Sequence, residues 1–559
     1  MTQTVADNIL TSFREHPDKV ALVLQSPQGD EEITFRDLVH GSSAYAHVYA
    51  QAGILPGEPV ILLLQQGRSL VEAFFGAVLH GSVPSIMPFL TEKLSPERYR
   101  ASLEALIEIT QPSALVTYPE FQSEVERARK EGDSVRSLLL SHEIPPVGDL
   151  ALDSLQGLKR DPQDLVLLQH SSGTTGLQKG VALSHRAVLN QVDSYGQAIH
   201  MTADDVVVSW LPLYHDMGLI AGFIMPILKR AELVLMSPFD WVKAPYRLFR
   251  AVSDYGGTLS WLPNFAYNFC SQKIRDRDLE GVDLSTWRAV INCSEPMRWE
   301  SHEMFYERFR DYGFKREALA TCYAMAENVF AVTQGGIGES VTVDPIDGDR
   351  LRSESQAAPV ADSESALRML SAGKPISNTR IRIVDEAGRT LPDRQIGEIA
   401  LQGNSLLSGY YHRPELTQEA FLDGWYLTGD LGYTVESELF VTGRRKEIII
   451  VGGKNIFPQD LEYLASQVPG VHPGRVVAFG IYNEDIGTEE VAIVAEVDPE
   501  YEDRRHEISR EIRSVINQGS DVAVRYIETV DRGWLIKTSS GKTARGANRE
   551  KYLQMTGRI

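Results

Sequence analysis

Short apolar runs recur along the chain, separated by stretches whose apolar positions repeat at helical spacing. Pro59–Leu64 (PVILLL), Val166–Gln169 (VLLQ), Val206–Leu211 (VVVSWL), Leu233–Met236 (LVLM) and Ala289–Cys293 (AVINC) read as buried strands. Ser69–Gly81 (SLVEAFFGAVLHG) and Tyr246–Gly256 (YRLFRAVSDYG) read as amphipathic helices. This alternation predicts an α/β architecture of parallel-rich sheets covered by helices. After Lys374 the texture changes. Thr379–Gly403 alternates apolar and polar positions and breaks at Glu386–Gly388, which predicts an antiparallel, barrel-like piece. The apolar run Leu219–Leu228 is 10 residues long. That suits a buried core segment, since a membrane span needs about 20.

Two segments lack either period. Glu131–Pro162 is polar and broken by proline, and Gly335–Ser371 is long, polar and poor in aromatics. Both read as loops, and loops beyond about 15 residues usually carry a function, a fold of their own or disorder. Within the first, Asp153-Ser154-Leu155 mimics a phosphopantetheine attachment site. Its neighbours are a proline-broken loop and a strand, not the helical bundle a carrier needs, so the segment reads as a linker. No internal repeat is evident.

The chain has 559 residues, enough for about three to four domains or one large body with a smaller one. Hydrophobic residues make up 43% and charged residues 23%, an ordinary globular composition. The formal charge of -21 argues against a nucleic-acid binder. Three cysteines, Cys270, Cys293 and Cys322, form no CxxC pair. They suit a reducing cytoplasm and neither a disulfide framework nor a cysteine zinc site. The N-terminus lacks a signal pattern, so a cytoplasmic protein is expected. Against the acidic whole, Arg532–Arg558 carries seven Lys/Arg and one glutamate. This tail is either a solvated terminal helix or a face for a polyanion.

The strongest local signal follows the strand-like DLVLLQ. It is His170-Ser171-Ser172-Gly173-Thr174-Thr175-Gly176-Leu177-Gln178-Lys179-Gly180. Glycines let a backbone approach a polyanion, and hydroxyls and N–H groups donate to phosphate oxygens. The spacing is not that of a Walker loop.

This segment resembles the phosphate-binding loop of the adenylate-forming superfamily, which includes acyl- and aryl-CoA ligases, peptide-synthetase adenylation domains, luciferases and fatty acyl-AMP ligases. Four further segments resemble that superfamily's motifs in the right order. They are Tyr323-Ala324-Met325-Ala326-Glu327, Tyr426-Leu427-Thr428-Gly429-Asp430, Gly443-Arg444-Arg445-Lys446-Glu447-Ile448 and Thr538-Ser539-Ser540-Gly541-Lys542. The resemblance spans essentially the whole chain. It implies a large N-terminal adenylation domain with a small barrel-like subdomain (1–445) and a small mobile α+β C-terminal domain (446–559) hinged at Lys446.

The resemblance also implies roles. Activating a carboxylate with ATP brings two anions together, so donors and positive charge must surround the phosphates. Ser171, Ser172, Gly173, Thr174, Thr175 and Gly176 would hold phosphates, with Lys179 as a further candidate. Tyr323 would stack on adenine. Glu327, with Thr175, would hold Mg²⁺, which needs few protein oxygens. Ala324 and Ala326 depart from the family's usual glycine and threonine, and Ala326 lacks a hydroxyl that could touch phosphate. Asp430 would accept from both ribose hydroxyls, with Arg444 near the same ribose. Lys542 would be the catalytic lysine, bridging carboxylate and α-phosphate from a flexible segment. Lys446 would absorb a backbone rotation and take no catalytic role.

Trp210-Leu211-Pro212-Leu213-Tyr214-His215-Asp216-Met217-Gly218 resembles the entrance of the family's acyl pocket, where His215 would orient the carboxylate. Ser260–Phe269 reads as an apolar and aromatic wall suited to an acyl tail, not to the amine of an amino acid. The expected acyl-pocket residues are Tyr214, Met217, Trp261, Asn264, Cys293 and Ala324.

Within the superfamily the chain is most similar to fatty acyl-AMP ligases. The Leu-Pro-Leu-Tyr-His-Asp-Met-Gly string and the post-hinge Asn455 and Pro458-Gln459-Asp460 resemble theirs. From Glu327 to Gly373 is 46 positions, about 20 more than a CoA ligase would need. The excess matches the insertion of acyl-AMP ligases and is placed at about 336–372. The implied substrates are a fatty acid and ATP, with Mg²⁺ as cofactor. The implied partner is a phosphopantetheinylated acyl carrier protein acting in trans, and the basic tail is a candidate face for it. An acyl- or aryl-CoA ligase of the same fold is the nearest alternative. An amino-acid adenylation domain and a non-catalytic carrier-binding module are further ones.

Overall fold

The computed structural model describes residues 3–88, 96–147, 152–171, 179–363, 365–452, 454–483, 488–519, 523–538 and 541–557. Its centre is a seven-stranded sheet. The strands run, edge to edge, Leu319–Thr321, Ala289–Asn292, Leu259–Leu262, Val206–Ser209, Glu232–Met236, Val20–Gln25 and Glu31–Thr34. All neighbours are parallel except the last pair. A four-stranded parallel sheet lies beside it, built from Val83–Ile86, Pro59–Leu62, Ala114–Thr117 and Ser137–Leu140. Strands buried on both faces explain the near-continuous apolar runs.

The covering helices have local reasons to start and stop. Val5–Glu15 and Phe35–Gln51 each open on a capping box, Thr4 with Asp7 and Thr34 with Asp37. Arg68–His80 stops at Gly81, whose φ of +88° suits a left-handed cap. It packs so closely on Phe35–Gln51 that a Cβ on Gly76 would lie 2.5 Å from that of Tyr45. The apolar run at Leu219 is buried as expected. It begins as a π-helix over Met217–Ile224 and continues as Met225–Lys229. Among the described residues no helix is long and apolar enough to cross a membrane.

After residue 374 the antiparallel expectation holds. Thr379–Val384, Gly397–Gly403, Trp425–Val435, Phe421–Leu422 and Glu438–Arg444 form one five-stranded antiparallel sheet. Beyond residue 446 lies an α+β body. Val471–Asn483, Thr488–Val497 and Val524–Val530 form its sheet, and helices Pro458–Ser466, Arg505–Gly519 and Arg545–Thr556 pack on it. Its core residues, such as Ile493, Ile508 and Ile512, are separate from the large N-terminal core.

Three expectations change. Val166–Gln169 belongs to Leu165–Ser171, which pairs antiparallel with Lys179–Ser184 rather than joining a parallel sheet. An apolar run reports burial on both faces and not strand direction. Glu131–Pro162 contributes the strand Ser137–Leu140, which is half-exposed and so weakly patterned. Gly335–Ser371 is also folded. Val343–Ile346 pairs with Leu367–Leu370 around the helix Gly348–Glu354. Its polarity is answered from outside the segment. Buried Asp344 accepts from the Tyr433 hydroxyl at 2.9 Å and pairs with Arg394 at 3.0 Å. Ile346, Leu351 and Ala357 share a core with Tyr433, Phe440 and Phe457, so this segment bridges both sides of residue 446.

Three side chains of the basic tail are engaged within the C-terminal body. Arg545 is 13% exposed and pairs with Glu447 and with Glu462, the latter at 2.8 Å. Arg549 donates to the Gly480 carbonyl, and the Lys551 ammonium sits 4.2 Å above the Trp534 ring. Removing the arginine leaves two half-buried carboxylates without their shared partner. Arg545→Ala is therefore expected to destabilise the C-terminal body by about 3–5 kcal/mol. Thermal unfolding followed by tryptophan fluorescence (Trp534 reports locally) would check it, and a melt matching the parent would contradict this role.

Candidate active site

In an open α/β sheet, ligands bind beyond the carboxyl ends of the parallel strands. Here those ends deliver Trp210 to Met217, Cys293 and Tyr323, which follow Val206–Ser209, Ala289–Asn292 and Leu319–Thr321. The antiparallel sheet supplies the facing wall. Asp430 and Arg444 stand opposite each other in register on Trp425–Val435 and Glu438–Arg444.

Three side-chain clusters meet there. In the first, the Tyr323 hydroxyl donates to Asp430 at 2.7 Å, and Arg444 Nε lies 3.2 Å from the other carboxylate oxygen. Burial pushes the Tyr323 hydroxyl well above its ordinary range, and Asp430 pushes it further. Asp430 in turn raises Arg444, which keeps its charge. Arg444 is half-exposed and faces the site with donors to spare.

The second cluster surrounds Glu327, on the turn Ala326–Asn328. Tyr410 donates to its carboxylate at 3.0 Å, and the Tyr410 and Tyr426 hydroxyls lie 2.9 Å apart. Burial raises the Glu327 carboxyl above its ordinary value, and Asp216 adds to the rise. The following residue but one, Val329, is held at φ 62° and ψ -54°, with Phe330 N donating to the Asn328 carbonyl at 2.7 Å. This is a tight γ-turn on a β-branched, buried residue, a strained geometry of the kind that clusters at functional sites.

The third cluster holds His215, whose Nδ1 lies 2.6 Å from Asp216 Oδ1. Burial opposes ionisation of Asp216, yet His215, Lys542 and the Met217 backbone N–H outweigh it and hold the carboxyl below its usual range. Lys542 thus acts on the same neighbourhood as Glu327 and Arg444. Lys542 N donates to the Thr538 hydroxyl at 3.1 Å and Thr538 N to the Lys542 carbonyl at 2.8 Å.

The remaining expected residues divide. Ser172, Gly173, Thr174, Thr175 and Gly176 lie outside the described residues. Ser171 ends its strand opposite Lys179, and the Lys179 ammonium lies 4.8 Å over the Tyr410 ring. Met217 and Cys293 touch, with Sγ to Sδ at 3.1 Å. Trp261 is buried and donates to the Tyr195 hydroxyl at 2.8 Å. Burial raises the Tyr214 hydroxyl to about 12, and its carbonyl accepts from Gln169. Ala324 bridges to Ala331. Asn264 belongs to a buried polar network with Asn292 and Ser301 rather than to an apolar wall. Lys446 is exposed in the turn Arg445–Glu447. Sequence reasoning assigned no role to Asp216, Tyr410 or Tyr426. Asp216 could have been found beside His215, while the two tyrosines are 16 positions apart and meet only through strand pairing.

A single buried carboxylate with a nearby acidic neighbour is short of positive charge, and that donor chemistry fits a hard divalent cation carried in by phosphates. Arg444, Lys179 and Lys542 add cationic donors. The arrangement can therefore hold a ribonucleotide polyphosphate and neutralise charge that develops at one phosphorus.

Comparison with known proteins agrees with this geometry. Residues 10–411 match the family described as AMP-binding enzyme. The chain is 29% identical to the medium-chain fatty acid–acyl-carrier-protein ligase JamA of Moorena producens, over 98% of this chain and 95% of that protein. It is 30% identical to the long-chain fatty acid–AMP ligase FadD32 of Mycolicibacterium smegmatis, over 89% of this chain and 85% of that protein. A solved structure from a study of fatty acyl-adenylate ligases of E. coli and L. pneumophila superposes with a TM-score of 0.90 at 29% identity. It covers 99% of this chain and 98% of that one.

Proposed function

The chain belongs to the AMP-binding enzyme family and, within it, to the fatty acyl-AMP ligases, and from that premise we propose a specific division of labour for its residues. A fatty acid carboxylate attacks the α-phosphorus of ATP. An O–P bond forms, the bond to the β-phosphate bridge breaks, and pyrophosphate leaves with its electron pair. Asp430 accepts from the ribose hydroxyls, with Tyr323 fixing the carboxylate's orientation through its 2.7 Å bond. Arg444 and Lys179 face the phosphates, and His215, held by Asp216, orients the incoming carboxylate. Lys542 places its ammonium between the two anions. Glu327 and Thr175 would hold Mg²⁺, which would supply charge neutralisation for the phosphates. In the second half-reaction residues 446–559 rotate about Lys446. A phosphopantetheine thiol on an acyl carrier protein then displaces AMP, taking the acyl group as a thioester and releasing its proton. The three buried free cysteines fit a cytoplasmic setting.

The observation that supports this reading most is that the Tyr323–Asp430–Arg444 cluster, the His215–Asp216 pair and Glu327 with Tyr410 meet at the carboxyl ends of the central sheet. The folded segment 343–370 favours a carrier thiol over CoA as acceptor. It shares a core with Phe457, and Asn455 donates to its Ser355 at 3.3 Å, so it bears on the body that must turn. Mass spectrometry of products from ATP, Mg²⁺ and a ladder of fatty acids, with and without CoA, tests the proposal. Acyl-adenylate is expected to accumulate while CoA stays free. Efficient acyl-CoA formation would instead identify a CoA ligase.

A further inference from the structure

Arg298 lies outside the three clusters, at the N-terminal boundary of the helix Trp299–Phe309. Its backbone is fixed from below. Arg298 N donates to Asn264 Oδ1 at 3.0 Å, and the same oxygen accepts from Asn292 Nδ2 at 3.0 Å. Asn264 Nδ2 donates to Ser301 at 3.1 Å, and Asn292 also meets His302 at 3.0 Å. Asn292 ends the second strand from one edge of the large sheet, so this network roots Arg298 in that sheet. Asn264, Asn292, Ser301 and His302 are buried and bonded to one another, with Asn292 Oδ1 left unpaired.

The guanidinium reaches the other way. Its Nη2 lies 2.6 Å from Asp460 Oδ1 and 3.2 Å from the Gln459 carbonyl, and its plane sits 5.0 Å from the Tyr463 ring centre. All three belong to the helix Pro458–Ser466. The Arg298 side chain is 17% exposed, and Asp460 is 31% exposed. The next exposed-to-buried link on that helix is Glu462, which binds Arg545 at 2.8 Å. Arg545 begins the terminal helix three positions after Lys542. Two charge-assisted contacts on one helix, Arg298–Asp460 and Glu462–Arg545, therefore tie the large sheet to the helix that begins three positions after Lys542.

We propose that Arg298 is a positioning residue for Lys542: its pairing with Asp460 holds the C-terminal body in the adenylate-forming arrangement and is released when that body turns. The proposal rests on the two-step reading above. A contact present in one arrangement and broken in the other biases the equilibrium between them and nothing else. Arg298→Ala keeps the backbone bond to Asn264, and half-exposed Asp460 can hydrate, so the fold survives the change.

The full-length protein with Arg298→Ala is expected to form acyl-adenylate about 10-fold more slowly, with transfer of the acyl group from purified acyl-adenylate to pantetheine unchanged or faster by about 2–5-fold. Asp460→Asn should show the same split, and the double variant should be no worse than either single one. Arg298→Lys should recover part of the loss. Hydrogen exchange of the parent and of Arg298→Ala without substrates gives a reading independent of turnover. Amides of Pro458–Ser466 should exchange faster in the variant. Equal loss of both half-reactions, additive effects of the two substitutions, or unchanged exchange would each overturn the proposal. A parent that makes no acyl-adenylate would refute the functional reading alone, and the exchange comparison would still decide the latch.

Discussion

Replacing Lys542 by alanine is expected to slow acyl-adenylate formation by about 10²–10³-fold, the usual cost of removing one preorganised charge donor from a developing anion. Transfer from purified acyl-adenylate to a thiol should stay within about threefold of the parent, because the ammonium serves only the first transition state. The structure gives the reason for the asymmetry. Lys542 acts on Asp216 from a turn in the C-terminal body, while Asp430, Arg444 and Glu327 belong to the large body. In the proposed turn of the small body, Lys542 leaves and the others stay. The side chain is not part of the Arg545 network that holds the C-terminal body together, so the melting temperature should not move. Pyrophosphate release and single-turnover acyl transfer, measured separately, provide the check. An equal fall in both would mean that Lys542 is needed for folding or for nucleotide affinity and not for the adenylating step.

How far the site could be read from sequence depended on what each residue's partner was. Asp430 and Lys542 stand in short ordered motifs, so their positions were legible without knowing any contact. The parallel sheet was legible because double-sided burial writes long apolar runs. Strand direction was not, as Leu165–Ser171 shows, since an antiparallel strand buried on both faces has the same composition. The segment 343–370 looked like loop because Asp344 draws its partners from Arg394 and Tyr433, far away in the chain. Arg545 looked like a solvated tail residue for the same reason: its carboxylates come 98 and 83 positions earlier. Tyr426 opens a motif in which no role falls to it, and Tyr410 carries no motif at all. Tyr410 meets Glu327 only because Gly409–Tyr410 pairs with Lys179–Ser184, and that pairing is a property of the folded chain. Asn264 lies in an apolar stretch, but a buried amide must find polar partners, and it finds Asn292 and Ser301.

Glu327→Gln should make the protein more stable and far less active. The carboxylate is disfavoured by burial and by Asp216, and the Tyr410 and Arg444 contributions do not make up the difference, so its pKa lies above the unfolded value. The sign follows from linkage. A carboxyl raised in the folded state binds its proton more tightly when folded. Its ionisation therefore costs stability as pH rises from the unfolded value through the folded one, and the cost is absent below both. Glutamine keeps the size and the oxygen that accepts from Tyr410 at 3.0 Å while removing the charge. The variant should melt about 1–2 °C higher than the parent at pH 8, and the difference should close as pH falls toward about 4. Acyl-adenylate formation should drop by about 10²-fold, with a higher Mg²⁺ concentration needed for half-maximal rate, because charge neutralisation of the phosphates is worth several kcal/mol. The two halves of this result belong together. A carboxylate kept at a standing cost in stability is kept for binding something positive. A variant that melts lower than the parent at pH 8 while retaining its activity and Mg²⁺ dependence would assign Glu327 to packing instead.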